Sequence, residues 1–439
     1  MKVMKFGGTS VGKPERMQQV AELITATKQP KLVVLSALSG TTNTLVNISH
    51  ALAHAQKQEA AQIITNLYTH YCQFIQELLP EPVYQEMGKK IVDEHFDFLQ
   101  IILRISFSEA LNKDILAQGE LLSTKLFSVY LQSRSITHQL LPALEFMVID
   151  ANEEPDLAGI RSRLLPILAG HPDCPIFITQ GYICRNVRGE VDNLKRGGSD
   201  YTASLVAAAV NAEVCEIWTD IDGMHNNDPR IVNKTRAIEF LSFEEAAELA
   251  YFGAKILHPT CIWPTQQENV PVKLLNTMQP EAKGTTIVAA VEESGPKAVA
   301  AKDGIYAIKI KSSRMLLAYG FLRKVFEVFE KYKTSIDMIT TSEVAVSVTI
   351  DNTAHLDAIV KELTPFGQVE VMDQQSIIAI VGNQLATTPN ILSTILQGLQ
   401  PLPVTMVSFG GSEHNVSLLL PTQYRTQALQ LLNTHVFGL

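Results

Sequence analysis

A strand, a glycine turn, a helix and a second strand open the chain, and this order constrains the fold more than any other feature of the sequence. The segment Lys2–Phe6 is short and extended, Gly7 and Gly8 interrupt it, and Pro14–Thr27 has the apolar spacing of an amphipathic helix. Lys31–Ser36 follows as a Leu-Val-Val-Leu run between turn residues, which is typical of a strand buried on both faces. Strands joined by a helix run parallel through a right-handed crossover, so the opening predicts a parallel sheet.

The rest of the N-terminal two thirds continues this α/β pattern. Residues 44–134 are helical almost throughout, with Pro80 and Pro82 marking a break between helices. Sheet-like segments then return between helical and loop stretches: Met147–Asp150, Ile176–Gln180, Glu216–Thr219 and Val272–Asn276. We therefore predict one large α/β domain over residues 1–291.

Smaller units follow the polar joint Glu292–Lys297. Residues 305–375 have the order of a β-α-β-β-α-β ferredoxin-like module. Its predicted elements are the strand Ile305–Lys311, the helix Gly320–Lys331, the strands Ser335–Met338 and Val344–Ile350, the helix His355–Leu363 and the strand Gln368–Met372.

Residues 376–439 repeat this order but stop before a sixth strand. Because an open sheet edge invites aggregation, we predict that Lys297–Lys302 completes the second sheet. Two small tandem α+β modules favour binding or regulation over catalysis.

Net charge, apolar runs and cysteine content limit the possible partners and the cellular location of the protein. The formal net charge of −9 argues against nucleic acid or an anionic membrane as the main ligand. The N-terminus lacks the apolar core of a signal peptide, and no apolar run is long enough to span a bilayer. The five cysteines are scattered without a CxxC pair, which predicts free thiols in a cytoplasmic protein.

The first glycine turn nearly matches a phosphate-binding loop. Gly7 through Lys13 satisfies GxxxxGK, but Pro14 replaces the hydroxyl residue that would contact magnesium. The glycines still let backbone amides approach an anion closely. Lys5 precedes the turn and could point along the sheet edge towards a transferring phosphate; the alternative is a solvated lysine on a first strand.

Seven segments in this order resemble the signature segments of the aspartokinases, in the amino-acid kinase superfamily. They are Lys5–Val11, Ser36–Asn43, Gly119–Ser123, Arg196–Ala203, Trp218–Gly223, Asp228–Arg230 and Phe252–Pro259. The two C-terminal modules are similar to the paired ACT domains of the same family, so the resemblance covers the whole chain.

The resemblance implies a three-layer α/β/α sandwich around a mostly parallel sheet, followed by two ACT domains at 305–375 and 376–439. It implies ATP-dependent phosphorylation of the L-aspartate side-chain carboxylate to 4-phospho-L-aspartate, the first step of lysine, threonine and methionine biosynthesis. Mg²⁺ is implied with ATP, held mostly by phosphate oxygens and water rather than by a protein metal site. A monofunctional enzyme is expected, forming a homodimer or a dimer of dimers through its ACT domains.

Residue roles follow from matching each segment to the family. The implied catalytic residues are Lys5, which stabilises the transferring group, and Asp200, which organises that lysine. The implied substrate contacts are Thr42, Glu120, Arg196, Gly197, Gly198 and Ser199. The implied ATP contacts are Lys5, Gly7, Gly8, Thr9, Ser10, Thr219, Asp220, Arg230 and Lys255. An aspartate carboxylate has an ordinary pKa of about 3.9 and is already a nucleophile, so no general base is needed.

The first module resembles the effector region of the lysine-inhibited aspartokinases, which implies L-lysine as the effector. The implied effector contacts are Met315, Phe321, Leu322, Ile336, Asp337, Ser342 and Glu343. Asp337 and Glu343 carry the negative charge that an ammonium-bearing ligand requires. Two places depart from the family pattern and bear on nucleotide binding: the segment Asp192–Lys195 and His225.

Three other functions would fit parts of this sequence. Another amino-acid kinase of the same fold, acting on glutamate, N-acetylglutamate or a nucleotide monophosphate, would lack the tandem modules. A non-catalytic amino-acid sensor would be expected to have lost Lys5, Glu120, Arg196 or Asp200, and all four are present. A Rossmann oxidoreductase would carry GxGxxG at the first turn, which this chain does not.

Overall fold

The computed structural model describes residues 1–195, 197–253, 258–312 and 319–439. Its strands are β1 Lys2–Phe6, β2 Lys31–Leu35, β3 Gln139–Leu141, β4 Ile176–Gln180, β5 Ile183–Arg185, β6 Val191–Asn193, β7 Cys215–Thr219, β8 Phe240–Ser242, β9 Val272–Asn276, β10 Thr285–Val288, β11 Gly295–Lys311, β12 Ile339–Thr341, β13 Ala345–Ile350, β14 Gln368–Asn383, β15 Met406–Ser408 and β16 Asn415–Pro421.

The α-helices are α1 Gly8–Val11, α2 Pro14–Thr25, α3 Thr41–Ala53, α4 Lys57–Leu78, α5 Pro82–Ile102, α6 Glu109–Ser133, α7 Ala143–Phe146, α8 Leu157–Ala169, α9 Gly198–Ala209, α10 Phe243–Tyr251, α11 Trp263–Gln267, α12 Phe321–Lys331, α13 Leu356–Leu363, α14 Ile391–Gly398 and α15 Arg425–Phe437. The described chain divides into two compact units, Met1–Met224 with Leu257–Ala289, and His225–Ile256 with Ala290–Leu439. The functional domain boundaries predicted at residues 291, 305 and 376 stay predictions.

A mostly parallel sheet forms the centre of the first unit. Its strands run in the order β3-β4-β2-β1-β7-β9-β10, and β10 alone of these is antiparallel to its neighbour. All five residues of β2 are buried, as expected for a strand covered on both faces. Helices α2 to α6 pack together on one side, and α8, α9 and α11 form the other layer. The predicted α/β/α architecture is confirmed.

One strand prediction in this unit is wrong. Met147–Asp150 does not join the sheet: Val148 makes only an isolated bridge to Arg185, and Ile149 bridges to Pro155. The apolar residues of this segment are buried without belonging to a ladder. Burial and β-propensity therefore led to the wrong assignment, because an apolar run needs a neighbouring strand as well as a core.

A single antiparallel sheet runs through the C-terminal part of the second unit. Its described strands have the order β12-β13-β11-β14-β16-β15. The segments predicted as separate strands merge, because β11 and β14 each run through both modules and pair along most of their length. The N-terminal part of β11, from Gly295 to Lys302, pairs with Ile377–Asn383, at the sheet edge where the sequence predicted an added strand.

The strand predicted at Ser335–Met338 is displaced to Ile339–Thr341. The hydroxyl of Thr349 accepts the Met338 amide at 2.8 Å, so this amide is bound to a side chain instead of a ladder carbonyl. Each module has its own hydrophobic core, formed by residues of the sheet and of the helices that cover it. Val325, Phe329 and Ile359 belong to the core of the first module, and Ile395 and Leu429 belong to the core of the second. Within the described residues, no helix is both long and apolar enough to cross a bilayer.

Candidate active site

Three adjacent strands of the first unit end at one edge of the sheet. Phe6, the last residue of β1, is paired with Leu35 of β2 and with Trp218 of β7. The loops that follow these parallel strands therefore start side by side. The carboxyl edge of a parallel sheet is the usual place for a ligand, because the loops there can converge on it.

A pocket of about 530 Å³ opens between these loops. This volume lies within the range of about 300–1,000 Å³ that is usual for small-molecule sites. The lining residues come from five stretches of the chain: Gly8, Thr9, Ser36, Ala37, Leu38, Ser39, Gly40, Thr42, Asn43, Glu120, Tyr182, Gly198 and Ser199. The pocket thus brings together six of the residues predicted from the sequence: Gly8, Thr9, Thr42, Glu120, Gly198 and Ser199.

Lys5 and Asp200 form an ion pair at the end of β1. The Lys5 Nζ atom lies 2.6 Å from Asp200 Oδ1, and the two side chains are 9% and 20% exposed. Asp200 reaches this position from the first turn of α9, which begins after Gly197 with φ at +70°. The strand and the helix N-terminus therefore hold a lysine ammonium at the sheet edge with a carboxylate that fixes its direction.

The glycine turn after β1 leaves room for a phosphoryl group next to Lys5. An ideal Cβ at Gly7 would lie 3.3 Å from Lys5 Nζ, and one at Gly8 would lie 3.0 Å from the carbonyl oxygen of Ala37. A side chain at either position would fill the space between the cation and the neighbouring loop. Glycine here lets a ligand approach the backbone closely, which fits the phosphates of a nucleotide.

Two of the predicted nucleotide contacts already have partners. The Gly7 amide donates to the Trp218 carbonyl at 3.3 Å, and the Ser10 and Thr277 hydroxyls are hydrogen-bonded at 2.7 Å. These bonds tie the turn to β7 and to the residue after β9. Gly7 and Ser10 thus shape the turn, while Gly8 and Thr9 line the pocket.

Glu120 places an acid in the pocket from helix α6. Its side chain is almost completely buried, and Oε1 accepts the Ala37 amide at 3.3 Å. The other oxygen, Oε2, is buried without a hydrogen-bond partner among the described residues. Burial raises the pKa of Glu120 to about 8. Hydrogen bonds from the backbone amides of Ala37 and of Glu120 itself lower the pKa and offset part of this rise. A buried oxygen without a donor is a favourable position for a cationic ligand group.

The glycine before Glu120 allows this approach. An ideal Cβ at Gly119 would lie 2.8 Å from the Ala37 Cβ, so any larger residue would push α6 away from the loop after β2. Packing of α6 against this loop therefore explains the glycine at position 119, and the chemistry of the pocket explains the glutamate that follows it. The loop and the helix meet only because the first residue of the pair has no side chain.

Sequence reasoning did not single out Tyr182, Ser39 or Asn43, all of which line the pocket. Tyr182 adopts φ of +67°, held by its amide donating to the Thr202 hydroxyl at 2.9 Å. Burial raises the pKa of Tyr182 to about 12, and the negative charge of Glu120 adds to the effect. The sequence offered one sign that Tyr182 could belong to the site, which is its position two residues beyond β4. Side chains that follow a central parallel strand can reach the carboxyl edge of the sheet.

The remaining nucleotide predictions are spread over the chain. Thr219 ends β7 and donates to Asp220 Oδ1 at 3.2 Å, close to the sheet edge but outside the lining of the pocket. Arg230 belongs to the second unit, where it binds Asp228 through Nε at 2.9 Å and through Nη2 at 2.7 Å. Arg196, Lys255 and Met315, which were predicted to contact substrate, nucleotide and effector, lie outside the described residues.

The charged segment that departs from the family pattern is neutralised locally. Asp192 is buried in β6 and accepts the Lys113 ammonium of α6 at 2.6 Å. Lys195 pairs with Glu153 on the surface. In the second unit, the His225 ring is hydrogen-bonded to the Thr235 hydroxyl at 2.8 Å.

The predicted effector residues surround both ends of β12 in the first module. Asp337 precedes β12 and is bound by Tyr251 and Lys302, whereas Glu343 follows β12 and is exposed at the turn into β13. In the same turn the Ser342 amide donates to the Ala345 carbonyl at 2.8 Å. The two acids therefore do not form one cluster within this chain.

The apolar effector residues that the structure describes lie at the start of α12 and shortly after its end. Phe321 meets the ring of Phe366 edge-on at 6.3 Å between centroids, Leu322 is partly exposed, and Ile336 packs on the first-module core. As for metals, the described part of the chain contains no group of three His, Cys, Asp or Glu side chains that could hold an ion.

Comparison with known proteins connects this geometry to a family. The model of the amino acid kinase family matches residues 1–276, and an ACT domain model matches residues 378–436. Lysine-sensitive aspartokinase 3 of Escherichia coli is 32% identical over 448 residues, which cover 99% of each chain.

Two solved structures of E. coli aspartokinase III are similar over the whole chain. The R-state complex with aspartate and ADP has a TM-score of 0.85 at 31% identity and covers 100% of both chains. The T-state complex with lysine and aspartate has a TM-score of 0.79 at 32% identity and covers 100% of this chain and 99% of that one. The chain therefore belongs to the aspartokinases, enzymes of the amino acid kinase family.

Proposed function

We propose that this aspartokinase transfers the terminal phosphoryl group of ATP to the side-chain carboxylate of L-aspartate, giving 4-phospho-L-aspartate and ADP, and that L-lysine inhibits it. The observation that carries the proposal is the Lys5–Asp200 pair at 2.6 Å beside a glycine-walled pocket that contains Glu120. The similar E. coli enzyme has been crystallised with aspartate and ADP, which supports this choice of ligands.

The chemistry needs positioning and charge neutralisation more than proton transfer. A carboxylate oxygen of aspartate attacks the γ-phosphorus, and the bond from this phosphorus to the β,γ-bridging oxygen breaks, so that ADP leaves with the electron pair. The substrate carboxylate is ionised at neutral pH, so no base has to remove a proton. Lys5 stabilises the charge on the phosphoryl oxygens, and Asp200 keeps its ammonium directed at the sheet edge.

The pocket orients the acceptor. Glu120 Oε2, which has no hydrogen-bond partner among the described residues, would accept the substrate ammonium, and Thr42, Gly198 and Ser199, which line the pocket, would contact its carboxylates. Arg196 would hold a substrate carboxylate through the two nitrogens of its guanidinium. Mg²⁺ would arrive with ATP, held by phosphate oxygens and water, and reduce the repulsion between nucleotide and nucleophile.

The test is a hydroxamate assay of acyl-phosphate formation with ATP-Mg²⁺ and aspartate, glutamate or N-acetylglutamate. Wild type is compared with Lys5→Met, which keeps a long side chain but removes the charge, and we expect a loss of about 10²–10³ in kcat. Product from aspartate alone supports the assignment. Product from another acceptor would reassign the substrate, and no product from any acceptor would favour the non-catalytic sensor.

Lysine inhibition is supported by two findings on the similar E. coli enzyme, its name and its complex with lysine. In this chain, Asp337 offers an ammonium group of lysine a carboxylate oxygen, Oδ2, that has no hydrogen-bond partner among the described residues. Titration with lysine should lower the rate and release heat of binding. No effect on either quantity would contradict this part of the proposal.

A cytoplasmic homodimer, or a dimer of dimers through the ACT domains, completes the proposal. All five cysteines are free thiols in the structure, which suits a reducing compartment. The short edge strand β12 leaves main-chain groups that a second copy could pair with. Light scattering of the purified enzyme would give the mass that tests this state.

A further inference from the structure

The hairpin of β5 and β6 is a two-stranded sheet, separate from the central sheet of the first unit. Within it, Cys184 of β5 lies opposite Asp192 of β6. A two-stranded hairpin is only marginally stable in water unless it packs against another element. The position of this hairpin therefore depends on the contacts that it makes with neighbouring segments.

The hairpin begins directly after the pocket residue Tyr182. The Leu194 amide, just beyond β6, donates to the Tyr182 carbonyl at 2.8 Å, and the Tyr182 amide donates to the Thr202 hydroxyl at 2.9 Å. Tyr182 and Glu120 line the same pocket, the first before the hairpin and the second on α6. A movement of the hairpin relative to α6 therefore moves one side of the pocket relative to the other.

An ion pair fastens the hairpin to α6. The Lys113 Nζ atom lies 2.6 Å from Asp192 Oδ2, and the two side chains are 22% and 5% exposed. The other oxygen of this carboxylate, Oδ1, accepts the Asn193 amide at 2.8 Å. Both oxygens of Asp192 are therefore in use, one towards α6 and one within the hairpin.

The same face of α6 carries the acid of the pocket. Lys113 and Glu120 are seven residues apart on this helix, which is two turns and about 10.5 Å along the axis. An α-helix drifts by about 20° over seven residues, so the two side chains leave α6 in nearly the same direction. One side of a single rigid helix thus contacts the hairpin through Lys113 and the pocket through Glu120.

The other polar anchor of the hairpin lies further from the pocket. Arg185, the last residue of β5, donates through Nε to the Leu144 carbonyl at 3.0 Å and through its amide to the Met147 carbonyl at 2.9 Å. These bonds hold the turn end of the hairpin. Asp192 belongs to the segment that departs from the family pattern, so the family resemblance assigns no role to its ion pair.

We propose that Lys113 and Asp192 are positioning residues that hold Tyr182 against Glu120 and thereby maintain the affinity of the pocket for aspartate. The inference rests on the proposed function, because aspartate is the ligand proposed for this pocket. Neither residue lines the pocket, so the pair acts through the hairpin backbone. Without the pair, β6 is released from α6, and the bond from Leu194 no longer holds Tyr182 in place. The sequence had instead associated this segment with nucleotide binding.

The test compares Asp192→Asn with Glu216→Gln in steady-state kinetics. Glu216 is a matched control in the same unit, since one oxygen binds Lys2 at 3.0 Å and the other accepts the Trp218 indole N–H at 3.1 Å, with Lys2 and Glu216 27% and 8% exposed. An amide has one acceptor oxygen where a carboxylate has two, so each substitution removes one bond and the charge.

The two variants should differ in the KM for aspartate. Displacement of a substrate-positioning group by about 1 Å can cost up to about 10²-fold, so we expect this KM to rise at least about tenfold in Asp192→Asn. It should stay within about twofold of wild type in Glu216→Gln, and kcat and the KM for ATP should stay within about threefold in Asp192→Asn, because the lost interaction acts on aspartate binding. A residue that only maintained the fold would lower stability without this selective change.

Amide hydrogen exchange provides a measurement that needs no substrate. The Leu194 and Tyr182 amides should exchange at least about tenfold faster in Asp192→Asn than in wild type, because exchange follows local opening. Lys113→Met should have the same effect, and the double variant should add little to either, since all three break one pair. Lys113→Arg keeps the charge and should keep the wild-type exchange and KM.

The outcomes separate this inference from the proposal beneath it. An unchanged KM for aspartate in Asp192→Asn overturns the inference, and so does an equal rise of this KM in Glu216→Gln. If wild type does not phosphorylate aspartate, the proposed function is wrong. Exchange of the Leu194 and Tyr182 amides then decides the inference: faster exchange in Asp192→Asn shows that the pair holds Tyr182, and unchanged exchange overturns it.

Discussion

Replacing Glu120 by glutamine should remove a pH dependence that burial imposes on this aspartokinase. Burial raises the pKa of the carboxyl group in the folded protein to about 8, from an ordinary value of 4.5. Only the ionised form can pair with the ammonium of aspartate. Glutamine keeps the shape of the side chain and can still accept the Ala37 amide, but it cannot ionise.

The magnitude follows from linkage between protonation and folding. Between pH 4.5 and 8, the unfolded chain has lost the proton that folded Glu120 retains, so the contribution of this group to stability is present at low pH and is lost as pH rises to about 8. Each unit of pH in this window changes the free energy of unfolding by about 1.36 kcal/mol. From pH 5.5 to 7.5, Glu120→Gln should therefore gain about 3 kcal/mol in free energy of unfolding relative to wild type.

The same ionisation should govern catalysis. The pH profile of kcat/KM reports groups of the free enzyme, so kcat/KM for aspartate should rise about tenfold per pH unit below pH 8 and then level off. In Glu120→Gln the profile should be low and flat over this range. Initial rates from pH 6 to 9 at saturating ATP-Mg²⁺, with urea unfolding over the same range, measure both quantities.

Glu190→Gln is the matched control, because this glutamate lies in the same unit but is exposed. Its pKa is lowered, mainly by the hydrogen bond from the Asn186 side chain. It should leave both profiles as in wild type near pH 8. A wild-type kcat/KM that is flat between pH 6 and 8, or a Glu120→Gln variant that keeps the wild-type slope, would refute the reasoning.

Two further predictions concern stability. Gly197 and Gly189 have similar φ values, +70° and +77°, but an ideal Cβ at Gly197 would lie 2.0 Å from Cys261 Sγ, whereas one at Gly189 would have nothing within 4 Å. The free energy of unfolding should therefore fall by about 2–5 kcal/mol in Gly197→Ala and by about 1 kcal/mol in Gly189→Ala. Equal losses in urea unfolding would contradict the steric explanation. Lys297→Met should cost about 3–5 kcal/mol by leaving the buried Glu245 carboxylate without its cation, and adding Glu245→Gln should restore much of that loss. If Lys297→Met is as stable as the double variant, the ion pair contributes little to the stability of the fold.

Local patterns predicted much of the catalytic unit. The strand Lys2–Phe6 has the predicted bounds, and α2 begins at Pro14 as expected, because proline is well tolerated in the first turn of a helix. Pro82 likewise starts α5 after the predicted break. These features depend on neighbouring residues, which a sequence displays directly. Met147–Asp150 failed because its pairing depended on whether a distant strand was available.

The sequence by itself determined the order of elements, the glycine turn beside Lys5 and the family resemblance that marked Glu120 and Asp200. Only the tertiary structure decided which of these side chains meet and in what environment. Lys5 and Asp200 are distant in the chain but 2.6 Å apart, and Tyr251 reaches Asp337 across 86 residues. Burial and charge at such places depend on the whole fold, because water is excluded and partners are supplied by segments that no local pattern connects.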